Sequence, residues 1–503
     1  MIEAGFGKTD ITPDKQLELS GFAGRKSEGI HDRLFCRSLY LRSEEEFVII
    51  SCDTFGFDHD FSTQIRKGVA IKLGIRPSNV MLTATHTHSS PATIQLRKGG
   101  KVEKEYLDFI ERAIGEAVEK SAETRRSTMT FITARAPGLS FNRVYQNAPD
   151  DSLAAIHLKP SEGKGKKVTL VNYSCHPSVL GADNRQVSAD YPGYLYAFYE
   201  AAGEEAIFLN GASGDLSPYL PRGQSGTFAD AERMGKALGE KTFAEGKSMD
   251  AHVLTASKQV TLERVKPEIN VDELEDRIKK ENGMGDELDR KAGMPFKLEA
   301  EALREWLDEV SKDKPMPAVG EAQAVALSSD LALVSFSAEL FSSIGSVIRL
   351  GSPFPETLVI GYANGLMGYV PDAKAFEVNS YEAAEAYRYY DTFPFSKNAG
   401  KVVIKVALEL LSSLSAALAS RRGAVKPQLT VGVSRVGSRS LAIAAFSIWS
   451  RSLFLGSLAL KTVERPRLTP ICPILTISRG FSLVLNRFAA RCLLVVIAIK
   501  WAL

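Results

Sequence analysis

Residues 83–91 read Thr-Ala-Thr-His-Thr-His-Ser-Ser-Pro and follow the run 77–82, which reads as a turn leading into a buried strand. His86 and His88 are separated by one residue, so in an extended backbone both imidazole rings point to the same face. The 503 residues contain seven histidines, which makes two within three positions unusual. Such a pair is typical of a metal site or a proton-transfer site. The alternative is a pair of strand-end histidines satisfied by backbone hydrogen bonds.

Strands and helices alternate along most of the chain around this stretch. An amphipathic helix is predicted over 102–122, where Tyr106, Ile110 and Val118 share one apolar face. The other predicted strands are 34–41, 47–51, 128–134, 152–158, 167–173, 206–209, 324–336 and 358–362, and the other predicted helices are 61–73, 191–202, 229–244, 340–350 and 402–420. This alternation predicts an α/β body built in layers, an α+β layered fold.

The charge distribution divides the chain near residue 420. Residues 421–503 contain 13 Lys and Arg against one acidic residue, a net charge of +12, whereas the whole chain carries +2. Residues 1–420 therefore carry about −10, which argues against a nucleic-acid partner. We predict a globular domain over 1–420 with a charged helical insertion at 263–314, in which 271–280 and 298–310 have helical spacing. An irregular, poorly ordered basic segment follows at 421–503. The alternative for that segment is a basic membrane-surface element that makes weak peripheral contact.

The cysteines and the amino terminus bear on the cellular compartment. The five cysteines are odd in number and include no Cys-x-x-Cys pair, which is typical of a reducing compartment. Residues 1–7 show neither the basic region nor the apolar region of a signal peptide. We therefore expect a cytoplasmic protein.

Three more polar residues occur where predicted strands end, namely His176, Glu339 and Tyr369. Sites in α/β proteins assemble at strand ends. Two histidines and a carboxylate satisfy zinc with one position left open, and a tyrosine oxygen can join them if the metal lowers its pKa. The alternatives are a capped strand end for His176 and a partner of a helix dipole for Glu339.

These motifs together resemble the neutral/alkaline (non-lysosomal) ceramidase family over residues 1 to about 410. In chain order they are Gly-Phe-Gly-Lys-Thr-Asp-Ile-Thr at 5–12, His-Thr-His-Ser-Ser-Pro at 86–91, Asn-Tyr-Ser-Cys-His-Pro at 172–177, Ala-Ser-Gly-Asp-Leu-Ser-Pro at 212–218, Ser-Ala-Glu at 337–339 and a tyrosine-containing segment at 364–382. None is specific alone, but their order along the chain is.

The resemblance implies a metallohydrolase-like domain and a role for each matching residue. Zinc would be held by His86, His176, Glu339 and Tyr369. His88 would handle protons or orient the substrate, Ser217 matches the serine assigned as nucleophile in the family, and Arg143 lies where the family has an arginine near the active site. The implied reaction is ceramidase-like: hydrolysis of the amide bond of an N-acyl lipid or related N-acyl substrate by metal-activated water.

Several positions depart from the family pattern and leave the substrate open. Ser90 replaces a glycine in the first histidine motif, Cys175 and Val179 alter the second, and the basic segment stands where the family has a β-sandwich. Two alternatives therefore remain: an acyl hydrolase with Ser217 as nucleophile, and a non-catalytic homologue that binds a lipid surface.

The remaining histidines and aromatic residues are interpreted as structural. His31, His157 and His252 are expected to be satisfied locally, and the Asp-His-Asp run at 58–60 is expected to be an exposed loop. The Phe and Tyr residues over 376–394 are expected to form core and pocket wall.

Overall fold

The computed structural model describes residues 2–145, 149–163, 165–220, 225–267 and 296–423. Its strands are β1 (Ile2–Asp10), β2 (Glu18–Leu19), β3 (Arg25–Lys26), β4 (Gly29–Ile30), β5 (Phe35–Arg42), β6 (Glu46–Cys52), β7 (Val80–Ala84), β8 (Arg125–Arg135), β9 (Ser140–Asn142), β10 (Ser152–Pro160), β11 (Val168–Tyr173), β12 (Gln186–Val187), β13 (Glu205–Asn210), β14 (Leu216–Pro218), β15 (Lys247–Ser248), β16 (Ala251–Leu262), β17 (Ala318–Ser328), β18 (Leu331–Phe336), β19 (Glu339–Leu340), β20 (Glu356–Ile360) and β21 (Tyr369–Val370). Its helices are α1 (His59–Leu73), α2 (Lys104–Ser121), α3 (Tyr191–Ala201), α4 (Phe228–Thr242), α5 (Phe296–Glu309), α6 (Ser342–Gly351), α7 (Ala373–Glu377), α8 (Tyr381–Ala384) and α9 (Ala399–Gly423), with 3-10 turns at Pro77–Asn79 and Ala386–Arg388. The predicted mixture of strands and helices is confirmed.

The largest sheet contains nine of these strands. Their order is β13-β11-β10-β8-β1-β5-β6-β7, with β15 paired to β8. The pairs at the two ends, β6 with β7 and β11 with β13, are parallel, and the others are antiparallel. Parallel strands need a crossover connection, which α1 supplies at one end and α3 at the other.

Successive side chains along each strand point to opposite faces of this sheet, and both faces are buried. In β6, Phe47 and Ile49 pack toward the four-stranded sheet β16-β17-β18-β20, whereas Val48 and Ile50 pack toward α1 and α2. Helices α3 and α4 cover the rest of that outer face, and α6 and α9 cover the outer face of the small sheet. Each such aliphatic side chain contributes about 1.5–3 kcal/mol on burial. The body therefore has four layers, with two sheets between two sets of helices.

The large sheet curves so that its two parallel ends approach each other. Ser51 in β6 donates to the Phe208 carbonyl in β13 at 2.8 Å, and Asn210 at the end of β13 donates to the Thr85 carbonyl after β7 at 3.1 Å. The small sheet joins them, because Gly361 after β20 donates its N–H to the Asn210 carbonyl at 3.0 Å. Carboxyl ends of strands from both sheets thus meet in one place, where α/β proteins form ligand sites.

Part of the charged insertion lies within the described residues. The helix expected around 298–310 is α5, whereas the helix expected over 271–280 lies outside the described ranges. Trp306 of α5 is fully buried, with its ring 5.3 Å from that of Tyr387 and 5.6 Å from that of Phe393. Helix α5 therefore packs on the aromatic segment that follows α8.

Helix α9 is long and apolar enough over Ala399–Arg421 to cross a membrane, by length and composition alone. Val403, Ala407 and Leu411 on one of its faces are buried in the core beside the small sheet. Packing of that face accounts for part of the apolar character of α9, since 39% of the apolar window is buried. The basic segment predicted at 421–503 is described only to Gly423, where α9 ends, and the rest of it lies outside the described ranges.

The structure also resolves the interpretation of the other histidines. The Asp-His-Asp run is not a loop: Asp58 accepts a hydrogen bond from the Phe61 N–H at 2.7 Å and caps α1, which begins at His59. His157 lies within β10, and its Nδ1 is 2.8 Å from Thr169 Oγ1, as expected of a structural histidine. The ring of His31 stacks on Phe228 at 3.6 Å, and His252 pairs with Glu44 at 2.6 Å.

Candidate metal centre

The first histidine pair does not lie in a strand. β7 ends at Ala84, and His86 has a φ of +71°, in the left-handed region that non-glycine residues seldom occupy. The expectation of an extended backbone is therefore wrong. The rings of His86 and His88 nevertheless converge, with centroids 5.0 Å apart and planes at 80°. The two rings are brought together by a turn with a strained backbone at His86, and not by the alternation of side chains along a strand.

His176 joins the pair from the loop after β11. One nitrogen from each of the three rings lies within 4.8 Å of the others. Nδ1 of His86 is 2.7 Å from the Phe55 carbonyl, and Nδ1 of His176 is 2.8 Å from the Ser213 carbonyl. Because a carbonyl can only accept, both Nδ1 atoms carry a proton and both Nε2 atoms face the cluster.

The carboxylate and the phenol reach the same point from two short strands. β19 and β21 are parallel, and their register places Glu339 opposite Tyr369. Glu339 Oε2 lies 3.2 Å from Nε2 of His86 and 3.2 Å from Nε2 of His176. The Tyr369 hydroxyl lies 3.4 Å from Nε2 of His176. The structure thus brings together all four residues that the resemblance implied as zinc ligands.

Burial sets conflicting electrostatic demands on this cluster. Burial alone would raise the pKa of Glu339, but His86 and His176 outweigh burial and hold that pKa well below its usual range. Burial, with help from the Arg143 cation, lowers the pKa of His176 to about 4. The Glu339 carboxylate is therefore stabilised by a positive charge beside it, whereas burial disfavours protonation of His176 to supply that charge. A divalent cation bound between them would supply the charge without protonating His176.

His88 is the least tethered of the three histidines. Neither of its ring nitrogens has a hydrogen-bond partner among the described residues. Phe22 and Phe55 lie edge-on to its ring, with centroids 4.7 Å and 5.2 Å away. Gly21 has a φ of +91° and approaches so closely that a Cβ there would fall 2.4 Å from His88 Cγ. Burial and the neighbouring histidines lower the pKa of His88 well below its usual range, which leaves a neutral ring with a free lone pair.

Arg143 and Ser217 lie beside Tyr369. β9 and β14 pair so that Ser217 faces Phe141, and Arg143 follows β9 directly. Arg143 Nη1 donates to Ser217 Oγ at 3.1 Å, its Nη2 lies 3.4 Å from the Tyr369 hydroxyl, and its Nε donates to Glu382 at 2.6 Å. The ion pair with Glu382 fixes the guanidinium so that its other donors point at Ser217 and Tyr369.

Sequence reasoning missed three side chains that support the site. The Tyr390 hydroxyl donates to Glu339 Oε1, and the Tyr362 ring stacks on that of His86 with centroids 4.2 Å apart. Glu382 is the third, through its ion pair with Arg143. The aromatic residues over 376–394 were interpreted only as core and wall, and no local pattern distinguishes Tyr390 from its neighbours. Its role depends on long-range packing.

Comparison with known proteins points to one family. Residues 2–227 match the family described as neutral/alkaline non-lysosomal ceramidase, N-terminal, and this range includes all three clustered histidines and Ser217. Over these residues the chain is similar to this ceramidase family. Neutral ceramidase of Pseudomonas aeruginosa is 22% identical over 273 residues, which cover 48% of this chain and 41% of that protein. The match therefore spans less than half the length of this ceramidase.

Two solved ceramidase structures share the fold. The crystal structure of neutral ceramidase from Pseudomonas aeruginosa has a TM-score of 0.66 at 17% identity and covers 83% of this chain and 75% of that one. A ceramidase complexed with C2 has a TM-score of 0.64 at 16% identity and covers 87% of this chain and 77% of that one. At these identities the likeness concerns the fold alone. It extends beyond residue 227 and so covers more of the chain than the family match.

Proposed function

We propose that this chain is a zinc-dependent hydrolase that cleaves the amide bond of an N-acyl lipid or a related N-acyl compound. The main supporting observation is the convergence of His86, His176 and Glu339. Nε2 of each histidine lies 3.2 Å from Glu339 Oε2. The match of residues 2–227 to the ceramidase family supports an amide substrate. The structural relative complexed with C2 supports a lipid N-acyl group.

The residues present fit zinc. Nε2 of His86 is close to Glu339 but has no hydrogen-bond partner among the described residues, so it is a buried ring nitrogen that a metal ion would satisfy. Imidazole nitrogens and a carboxylate oxygen are ligands that zinc prefers. Zinc would be held by His86, His176 and Glu339, with the Tyr369 oxygen as a fourth ligand. When bound, it supplies a Lewis acid that polarises a carbonyl and lowers the pKa of water toward neutrality.

The side chains around this centre would move the protons and bind the substrate. His88, with two unpartnered ring nitrogens, would accept the proton of the attacking water and return it to the leaving amine. Arg143, held by Glu382, would donate to the substrate oxygen as negative charge develops there. Phe22 and Phe55 would exclude bulk water from His88.

A serine nucleophile is the second candidate, and one observation weighs against it. Ser217 Oγ accepts a hydrogen bond from Arg143, and within the described ranges no imidazole is hydrogen-bonded to it. Because arginine stays charged, it cannot take the serine proton. We therefore assign Ser217 to substrate binding. Ser217→Ala should retain hydrolysis, whereas loss of activity with zinc retained and a trapped acyl-enzyme would support the nucleophile.

Metal analysis of the purified chain tests the main proposal. We expect about one zinc per chain by plasma mass spectrometry. A chelator should abolish hydrolysis of N-dodecanoylsphingosine without changing the circular dichroism spectrum, and added zinc should restore activity. Zinc-free protein that hydrolyses the substrate at the same rate would refute the proposal.

A lipid-surface role without catalysis would rest on the basic tail. This hypothesis predicts that the full chain binds anionic vesicles and that removing residues 421–503 abolishes binding while leaving any hydrolysis unchanged. Vesicle sedimentation measures the first result, and an amidase assay of the same samples measures the second. A full chain that does not bind such vesicles would exclude membrane contact through the tail.

A further inference from the structure

Two buried cysteines face each other across the β5–β6 pair. The strand register places Cys36 directly opposite Cys52, and both side chains are fully buried. Because residues opposite each other in an antiparallel pair project to the same face, the two thiols lie side by side. Both belong to the apolar cluster that this face of the sheet forms with α1 and α2. The sheet therefore brings together two thiols that the metal centre does not use.

The main-chain hydrogen bonds identify the kind of pair that these cysteines form. The Asp53 N–H donates to the Phe35 carbonyl at 3.0 Å, so those two residues are a hydrogen-bonded pair. Such pairs alternate with non-hydrogen-bonded pairs along an antiparallel ladder, so the adjacent pair, Cys36 with Cys52, is non-hydrogen-bonded. The Cys52 carbonyl agrees with this, since it accepts the Thr85 N–H at 2.9 Å, on the β7 side. At such a pair the Cα atoms are about 4.5 Å apart, a separation that a disulfide can bridge.

The surroundings of Cys52 make the pair unreactive once the chain is folded. Burial raises the pKa of Cys52 well above its usual range, and a hydrogen bond with Cys36 adds to the shift. A buried thiol that keeps its proton is a poor nucleophile, and α1 and α2 shield it from dissolved oxidants. The hairpin itself is local, because residues 43–45 join β5 to β6. The two thiols can therefore meet and react before the helices cover them.

Cys175 is the other cysteine within the described residues, and it lies in a different apolar cluster. Its Sγ is 3.6 Å from the His176 carbonyl, and its own carbonyl accepts the Tyr191 hydroxyl at 2.8 Å. It follows β11, which is separated from β5 by β10, β8 and β1 in the large sheet. Among the described cysteines, Cys36 and Cys52 are therefore the pair that the fold opposes.

We propose that Cys36 and Cys52 form a disulfide when the chain folds in the presence of a disulfide oxidant. The thiolate of one cysteine attacks the oxidant and releases one thiol, and the second cysteine then attacks the mixed disulfide and releases another. The two cysteines lose two protons and two electrons, and the oxidant is reduced to two thiols. The bond closes the hairpin between residues 36 and 52, so it restricts the unfolded chain and stabilises the folded one. In a reducing compartment the pair remains two thiols.

Cell-free synthesis of the full chain with oxidised glutathione, compared with synthesis in dithiothreitol, tests the proposal. Trypsin cleaves after Arg37 and Arg42, between the two cysteines, so a disulfide joins two separate peptides. After free thiols are blocked, mass spectrometry without reduction should detect the joined peptides in the oxidised sample, and dithiothreitol should separate them. The midpoint of thermal unfolding, followed by circular dichroism, should be about 5 °C higher in the oxidised chain.

Alanine variants assign the bond to this pair. Cys36→Ala and Cys52→Ala should each lose the joined peptides and the thermal shift, whereas Cys175→Ala, the matched control, should keep both. An oxidised chain with a native circular dichroism spectrum and both Cys36 and Cys52 free would overturn the proposal. So would a folded chain in which either residue is joined to Cys175, Cys472 or Cys492. An equal thermal shift in Cys36→Ala would overturn the stabilising role, since another bond would then cause the shift.

Discussion

The histidine half of the metal centre, residues 84–177, and its carboxylate–phenol half, residues 339–390, are held by different contacts. His86 and His176 are each fixed through Nδ1 by a main-chain carbonyl, at 2.7 Å and 2.8 Å. Glu339 and Tyr369 stand side by side on a two-residue parallel pair, and the carboxylate of Glu339 is further held by the Tyr390 hydroxyl. The first half is therefore positioned by backbone, and the second largely by side chains.

This difference predicts how each half responds to substitution. A main-chain carbonyl survives any side-chain exchange at its own position, so the orientation of the histidines resists single substitutions around them. The orientation of Glu339 depends on individual hydroxyl and imidazole groups that a mutation can remove. Substitutions at Glu339, at the histidines and at Tyr390 test the contribution of each half to metal binding.

Removal of the carboxylate should have the largest effect. Glu339→Gln keeps the side-chain size but removes the negative charge that His86 and His176 face. We expect loss of bound zinc and a fall in kcat/KM of about a thousandfold or more. Metal content and amidase rate are measured on the same preparation. Glu309→Gln is the control, because Glu309 pairs with Arg97 on the surface at 2.8 Å. Full zinc occupancy in Glu339→Gln would show that this half is dispensable for metal binding.

Single substitutions separate the roles of His88 and His176 within the histidine half. His88→Gln should retain zinc and lower kcat about a hundredfold or more, because it removes the proposed proton carrier and leaves the ligands in place. His176→Gln should lose zinc. Metal analysis of the two variants in parallel gives the comparison. Equal loss of zinc from both would mean that the ion is held by the three histidines, which lie within 4.8 Å of one another.

A milder change probes the support of the carboxylate. Tyr390→Phe removes the hydroxyl that donates to Glu339 Oε1 and keeps the ring. We expect zinc affinity to fall about tenfold, as for other groups that orient a metal ligand. Competition with a fluorescent zinc chelator measures the change. Tyr194→Phe, which removes a hydroxyl bonded to His31 away from the centre, should leave the affinity as it was. An unchanged affinity in Tyr390→Phe would mean that β19 and β21 suffice to hold the carboxylate.

The same contrast explains what the sequence could predict. The strands before His86 and His176 were foreseeable because their apolar runs are local, and the histidine motifs follow those runs directly. The positive φ of His86 was not foreseeable, because a left-handed histidine has no local signature. Tyr390 was missed for another reason. Its hydrogen bond to Glu339 joins residues 51 positions apart in the chain, and no local pattern predicts that contact.

The last prediction concerns stability instead of metal binding, and a buried acid in the segment that supports the histidine loop. Asp190 is fully buried at the start of α3, where it accepts the N–H groups of Tyr191 at 2.7 Å and Leu180 at 3.2 Å. Burial raises its pKa to about 7, and these two hydrogen bonds only partly oppose the shift. The preceding Ser188 accepts a hydrogen bond from Thr87, between the paired histidines, through its carbonyl at 2.9 Å. Protonation of Asp190 therefore acts on the stability of this half.

The sign of the pH dependence follows from the raised pKa. Below about pH 4 the carboxyl is protonated in both states, so its contribution to stability is fully present. As pH rises toward 7 the unfolded chain ionises while the folded chain keeps the proton, so the free energy of unfolding falls by about 1.4 kcal/mol per pH unit. Asp190→Asn cannot ionise and should remove this slope. Urea unfolding of both proteins between pH 5 and 8 measures the difference, and parallel curves would show that Asp190 titrates normally. Because the effect lies in the pH slope and not in zinc content, it distinguishes a stabilising group in the histidine half from a metal ligand.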